Sequence, residues 1–104
     1  MIHKAKKVVI ITEKIILEQV AELVDACGAT GYTVSSTGGK GSRGVRSAER
    51  GGVSGTYANV KFEIITADEA VSTQIANEVA EKFFNNYSGI TYVENVEIVR
   101  PQKF

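Results

Sequence analysis

The chain has 104 residues, 43% of them hydrophobic and 23% charged, and its twelve basic and twelve acidic residues give a formal net charge of +0. This is the composition of one ordinary globular domain, residues 1–104, with a modest core. The lone Cys27 excludes a disulfide framework and a paired-cysteine metal site, and no apolar stretch approaches the ~20 residues that cross a bilayer. With no signal-peptide pattern either, the expected compartment is the cytoplasm, without direct membrane insertion.

Val8-Val9-Ile10-Ile11-Thr12 is a β-branched block suited to a central strand buried on both sides. Ile16, Val20, Leu23, Val24 and Cys27 follow at helical spacing, which predicts a helix from about Glu13 to Cys27. Thr12 is placed to cap it, Glu13 to meet its dipole and Gly28 to end it. Tyr32, Val34 and Ser36 alternate with Thr33, Ser35 and Thr37 in a second strand. In a third, Val60, Phe62 and Ile64 face one way and Asn59, Lys61 and Glu63 the other. Thr66 and Glu69 read as a capping box for a second amphipathic helix built on Val71, Ile75, Val79 and Phe83, ending near Asn85 and Asn86. After the turn Tyr87-Ser88-Gly89, the imperfect alternation from Ile90 to Val99 predicts a last strand with a bulge or at an edge, stopped by Pro101. The order βαββαβ is the ferredoxin-like α+β sandwich, with both helices on one sheet face because each crossover is right-handed. The other face is left open, a natural surface for oligomerisation.

Seven of the ten glycines lie between Gly38 and Gly55, in a segment that also holds Lys40, Arg43, Arg46 and Arg50 against the single acid Glu49. Such a stretch buries no apolar face and is expected to stay loose until something binds it. Glycines let backbone N–H groups approach an anion, and guanidinium forks match phosphate oxygens, so the segment reads as a phosphate or carboxylate clamp. Lys40, Arg43 and Arg46 recur every three residues, so one helix-like turn would point them the same way. Fixing a residue's backbone costs ~1–2 kcal/mol against roughly 1.5–3 kcal/mol returned per charge-assisted hydrogen bond. Only Thr37 to Arg46 is therefore expected to settle on an anion, leaving Ser47 to Gly55 for a protein partner.

Gly38-Gly39-Lys40-Gly41-Ser42 is not a P-loop, because the spacing is wrong and a strand, not a helix, follows. His3 reads as a solvated side chain near the terminus and Cys27 as a small packed hydrophobe. No base stands beside a nucleophile, and Glu13, Asp68 and Glu69 are explained by helix starts, so the chain is not expected to be an enzyme. Two other readings of the basic segment are open. One is a single-stranded RNA-binding βαββαβ domain, which lacks the required aromatic order in Asn59-Val60-Lys61-Phe62-Glu63-Ile64. The other is a weak nucleotide hydrolase, for which a general base is missing.

At Thr37-Gly38-Gly39-Lys40-Gly41-Ser42-Arg43-Gly44-Val45-Arg46-Ser47, flanked by Gly31-Tyr32-Thr33-Val34 and Ala58-Asn59-Val60-Lys61-Phe62-Glu63-Ile64, the chain resembles the PII-like signalling proteins, most closely the cyanobacterial SbtB type. The likeness extends to Val9-Ile10-Ile11-Thr12-Glu13-Lys14 and Phe84-Asn85-Asn86-Tyr87-Ser88-Gly89-Ile90. It implies a homotrimer with intersubunit clefts that bind cyclic AMP, AMP, ADP or ATP, with a divalent cation as an option beside ATP. It also implies a T-loop at about residues 38–57, whose base clamps phosphate through Lys40, Gly41, Ser42, Arg43 and Arg46. Thr37, Gly38 and Gly39 would line the same cleft, and the B-loop turn at Gly89 and Ile90 would lie near the adenine. Phe62, on the apolar face of the third strand, reads first as core, with a place at the border of a ligand cleft beside the loop as the alternative. The implied partner is a sodium-dependent bicarbonate transporter of the carbon-concentrating system, bound from the cytoplasm through the T-loop, which would make the protein peripherally membrane-associated. Many relatives end in a Cys-Gly-Pro-Glu-Gly-Cys hairpin, absent up to Phe104, so redox control is not expected here.

Overall fold

In the computed structural model the described residues are 2–38, 40–41, 44–45 and 58–100. Strand β1 (His3–Glu13) leads through a 3-10 turn (Lys14–Ile16) into helix α1 (Leu17–Ala26), then strand β2 (Thr33–Thr37). The short strands β3 (Lys40–Gly41) and β4 (Gly44–Val45) precede β5 (Asn59–Thr66), helix α2 (Glu69–Phe83) and β6 (Gly89–Ile98). The main sheet is antiparallel in the order β2-β5-β1-β6. This is the ferredoxin-like α+β arrangement expected from the sequence.

Valine and isoleucine fill β1 because it is the inner strand with the longest pairing, and Val8, Val9 and Ile10 are at most 1% exposed. Val8 and Ile10 on β1, with Val60, Phe62 and Ile64 on β5, pack against Val20 and Val24 of α1 and Ile75 and Val79 of α2. Burying one such side chain stabilises by about 1.5–3 kcal/mol. Directly opposed residues share a face, so Val9, Tyr92, Lys7, Glu94 and Glu63 lie on the side without helices. There Lys7 Nζ bridges Glu63 at 3.2 Å and Glu94 at 3.7 Å. Its pKa is raised, first by the hydrogen bond to Glu63.

Several local expectations need correction. Thr12 does not cap a helix: it lies inside β1, fully buried, and its hydroxyl donates to the Ser88 carbonyl at 2.8 Å. The turn after β1 is anchored instead by the Lys14 N–H, which donates to the Ala58 carbonyl at 2.8 Å. Helix α2 is capped by Asp68, whose carboxylate accepts from the Ala70 N–H at 2.9 Å, while Thr66 Oγ1 accepts from the Asp68 N–H at 3.0 Å. Thr66 therefore shapes the approach to the cap, and the expected Thr66–Glu69 box does not form. Strand β6 is an edge, but its pairing with β1 runs without a bulge from Gly89 opposite Thr12 to Ile98 opposite His3. Its irregular hydrophobicity reflects exposure, with Ile90, Tyr92 and Val93 all exposed. Pro101 lies outside the described residues.

Gly28 ends α1 as expected. Its φ of 102° lies in the left-handed region, its N–H bonds the Asp25 carbonyl and the Ala29 N–H the Val24 carbonyl, the paired pattern of a Schellman stop. Gly28→Ala should lower the unfolding free energy by about 1–2 kcal/mol, measured by urea denaturation. Cys27 is buried beside Glu78, and burial first, then that carboxylate, pushes its thiol pKa up. A raised thiol pKa means the unfolded chain ionises first as pH rises, so this group's contribution to stability is present below the thiol's ordinary pKa and declines above it. At pH 8, iodoacetamide should label Cys27 in urea but not in the native protein, as read by mass spectrometry.

Candidate functional site

The chain order and register bring four ends together. Strand β1 finishes at Glu13, β5 begins at Asn59, β2 finishes at Thr37 and β6 begins at Gly89. In register, Thr37 stands opposite Asn59 and Asn59 opposite Glu13, while Thr12 stands opposite Gly89. The long glycine-rich connection thus leaves and rejoins the sheet in one row. The turn before β6 reaches the same end of the sheet from the other edge.

That turn is fastened by buried polar groups. The Ser88 N–H donates to Glu13 Oε2 at 2.7 Å and the Ser88 hydroxyl to the same oxygen at 3.2 Å, while Thr12 holds the Ser88 carbonyl. Charge-assisted bonds of this kind are the stronger class. The sequence suggests a helix-dipole role for Glu13, but its carboxylate is a clasp between β1 and β6. Gly89 follows at once, and glycine suits the position: a Cβ would clash with the Phe84 ring and lie 3.0 Å from the Ile11 carbonyl oxygen.

The expected site residues are distributed unevenly. Thr37 and Gly38 are partly exposed at the sheet end, and the Thr37 hydroxyl makes a long bond to the Gly38 carbonyl, 3.5 Å. Gly89 and Ile90 are exposed at the same end, Ile90 at 55%. They lie on the opposite edge from Thr37, three strand spacings or roughly 14 Å away. Lys40 and Gly41 form β3, paired antiparallel with β4 through Lys40 to Val45 and Gly41 to Gly44. A helix-like turn across Lys40 to Arg46 is thereby corrected to a β-ribbon at its start, since residues pairing across a ribbon cannot share a helical turn. Gly39, Ser42, Arg43 and Arg46 lie outside the described residues.

Phe62 takes the first of its two readings: it is 0% exposed on the helix-covered face, its ring 5.4 Å from that of Tyr32, so it is a core residue, and the alternative of a cleft-bordering role is corrected because it has no surface for a ligand. The same burial keeps Phe62 from serving as a stacking surface for RNA. Asn59, expected on the exposed side of its strand, is also 0% exposed, and its carboxamide has no hydrogen-bond partner. Among the described residues no group of three His, Cys, Asp or Glu could hold a metal ion, and no helix is long and apolar enough to cross a membrane.

The class that follows is a ferredoxin-like α+β protein whose β2–β5 hairpin carries a long basic connection at the end where β1 stops and β6 starts. The chain matches the family described as Nitrogen regulatory protein P-II over residues 5–103, and it belongs to that family. It is similar to a PII-like signalling protein of Thermus thermophilus, at 35% identity and a TM-score of 0.78, over 99% of this chain and 97% of that one. It is also similar to CPII of Thiomonas intermedia, a nitrogen regulatory PII-like protein solved with ADP, AMP and bicarbonate, at 27% identity and a TM-score of 0.81, over 100% of this chain and 96% of that one. The GlnK–ATP complex of B. subtilis shares the fold at 22% identity and a TM-score of 0.59, over 89% of this chain and 82% of that one.

Two substitutions probe this end of the sheet. Gly89→Ala should displace the Phe84 ring and lower stability by about 1–3 kcal/mol. Glu13→Gln should lower it by about 1.5–3 kcal/mol by weakening the clasp on Ser88. Both are read by chemical denaturation.

Proposed function

We propose that this chain is an adenine-nucleotide-sensing signalling protein of the SbtB type, acting as a homotrimer without catalysis of its own. The observation that carries the reading is the placement of its two expected half-sites. Thr37 and Gly38 stand on one edge of the sheet and Gly89 and Ile90 on the other, at the same end. They lie roughly 14 Å apart with β5 and β1 between them, so in a single copy they do not face each other across a cleft. A neighbouring copy can supply the missing half, giving a cleft with the connection's root on one wall and the Gly89 turn on the other. The open sheet face, with Tyr92 and Ile90 exposed beside the ion pairs of Lys7, suits burial between copies.

In that cleft Lys40, Ser42, Arg43 and Arg46, with the N–H groups of Gly39 and Gly41, take the phosphate, and the Gly89 turn lies against the base. The ligands are cyclic AMP, AMP, ADP and ATP, the last with a divalent cation. Support comes from membership of the P-II family and from CPII, which was solved with ADP, AMP and bicarbonate. Ligand identity biases the conformation of residues 38–57, and that conformation sets affinity for a partner, a population shift driven by differential binding. The partner is a sodium-dependent bicarbonate transporter, which holds the cytoplasmic protein at the membrane.

Calorimetry tests the nucleotide reading. Wild type should bind AMP and cyclic AMP, and Arg43→Ala with Arg46→Ala should weaken AMP about ten-fold or more. Light scattering should give three times the chain mass. Absence of binding, or equal affinity in the double variant, ends the clamp hypothesis, and a monomeric mass ends the shared cleft.

A further inference from the structure

Asn59 carries the strongest unabsorbed observation. It is 0% exposed, and both its Oδ1 and its Nδ2 lack a hydrogen-bond partner. A buried carboxamide with neither atom paired opposes folding, and replacing such a group by an apolar one of similar shape is neutral or stabilising. Among the described residues the remaining unpaired buried side-chain atom is Thr91 Oγ1, which lies opposite Ile10 in the body of the sheet, away from the row where the connection departs. Asn59 stands in that row, between Thr37 and Glu13.

Charge decides what such a group can take. On its β1 side lies the Glu13 carboxylate, engaged by Ser88. A second anion placed there would meet repulsion in a site with little water to screen it. On its β2 side lies the neutral hydroxyl of Thr37. A carboxamide presents a donor and an acceptor side by side, which matches the amino group and ring nitrogen of adenine or the hydroxyls of ribose, whereas a phosphate offers acceptors alone.

We infer that the Asn59 side chain binds the neutral nucleoside portion of the adenine nucleotide, leaving the phosphate to the basic residues of the connection; this rests on the nucleotide reading proposed above. Because the carboxamide is shielded from solvent, contact requires neighbouring groups to shift. Asn59 stands directly opposite Thr37, where β2 ends.

The test compares wild type with Asn59→Leu and Asn59→Ala, using thermal melting without ligand and calorimetry with AMP, adenosine and pyrophosphate. Asn59→Leu should melt no lower than wild type, bind AMP and adenosine about ten-fold more weakly, and bind pyrophosphate unchanged. Unchanged AMP affinity in both variants overturns the inference, as does pyrophosphate weakened as much as AMP. If Asn59→Leu does not fold, Asn59→Ala decides the matter through the ratio of AMP to pyrophosphate weakening. Wild type that binds no nucleotide at all would instead overturn the proposed function, and this inference with it.

Discussion

The short hydrogen bond from the Ser88 N–H to the Glu13 carboxylate is the tie on which the rest of the arrangement depends. It joins the last residue of an inner strand to the residue before an edge strand, across a separation of 75 positions in the chain. With Thr12 holding the Ser88 carbonyl, it fixes where β6 starts and therefore its register along the whole of β1. A one-residue slip would move Tyr92 and Glu94 to the other face of the sheet and part Glu94 from Lys7. The tie also sets Gly89 at the same end of the sheet as Thr37, so the pairing of β6 and the geometry of the candidate site share one local cause.

Much of the fold is legible in the sequence because its signals are periodic. The block Val8 to Thr12 marks the inner strand, the four-residue steps from Val71 to Phe83 mark α2, and Val60, Phe62 and Ile64 mark the buried face of β5. Gly28 is readable because an L side chain rarely adopts its backbone angle. Helix starts are less legible. Thr12 and Thr66 both stand where a cap could stand, but Thr12 is drawn to Ser88, 76 positions away, and Asp68 takes the place at α2. Long-range partners leave no periodic trace, and local rules cannot weigh them.

The candidate site divides in the same way. Its glycines and basic residues announce themselves by composition, and Thr37 and Gly38 stand at the same end of the sheet as Gly89 and Ile90, on the opposite edge. Phe62 joins the core, as its place on the apolar side of an alternating strand implies, and does not border the cleft. Asn59 escapes sequence reasoning: polar residues on an alternating strand are ordinarily wet, and nothing local shows that this one is sealed. Glu13 looks like a contributor to a helix dipole because it follows a strand and precedes a helix, whereas its carboxylate is engaged by Ser88.

Among the described residues both outer strands of the main sheet lack a strand partner along one side, but they differ in length, five residues in β2 against ten in β6. The longer border carries Glu94 and Glu97 with Asn95 between them. Identical carboxylates on every copy repel strand-to-strand continuation into an open-ended ribbon. Growth of an open-ended ribbon along that rim is discouraged.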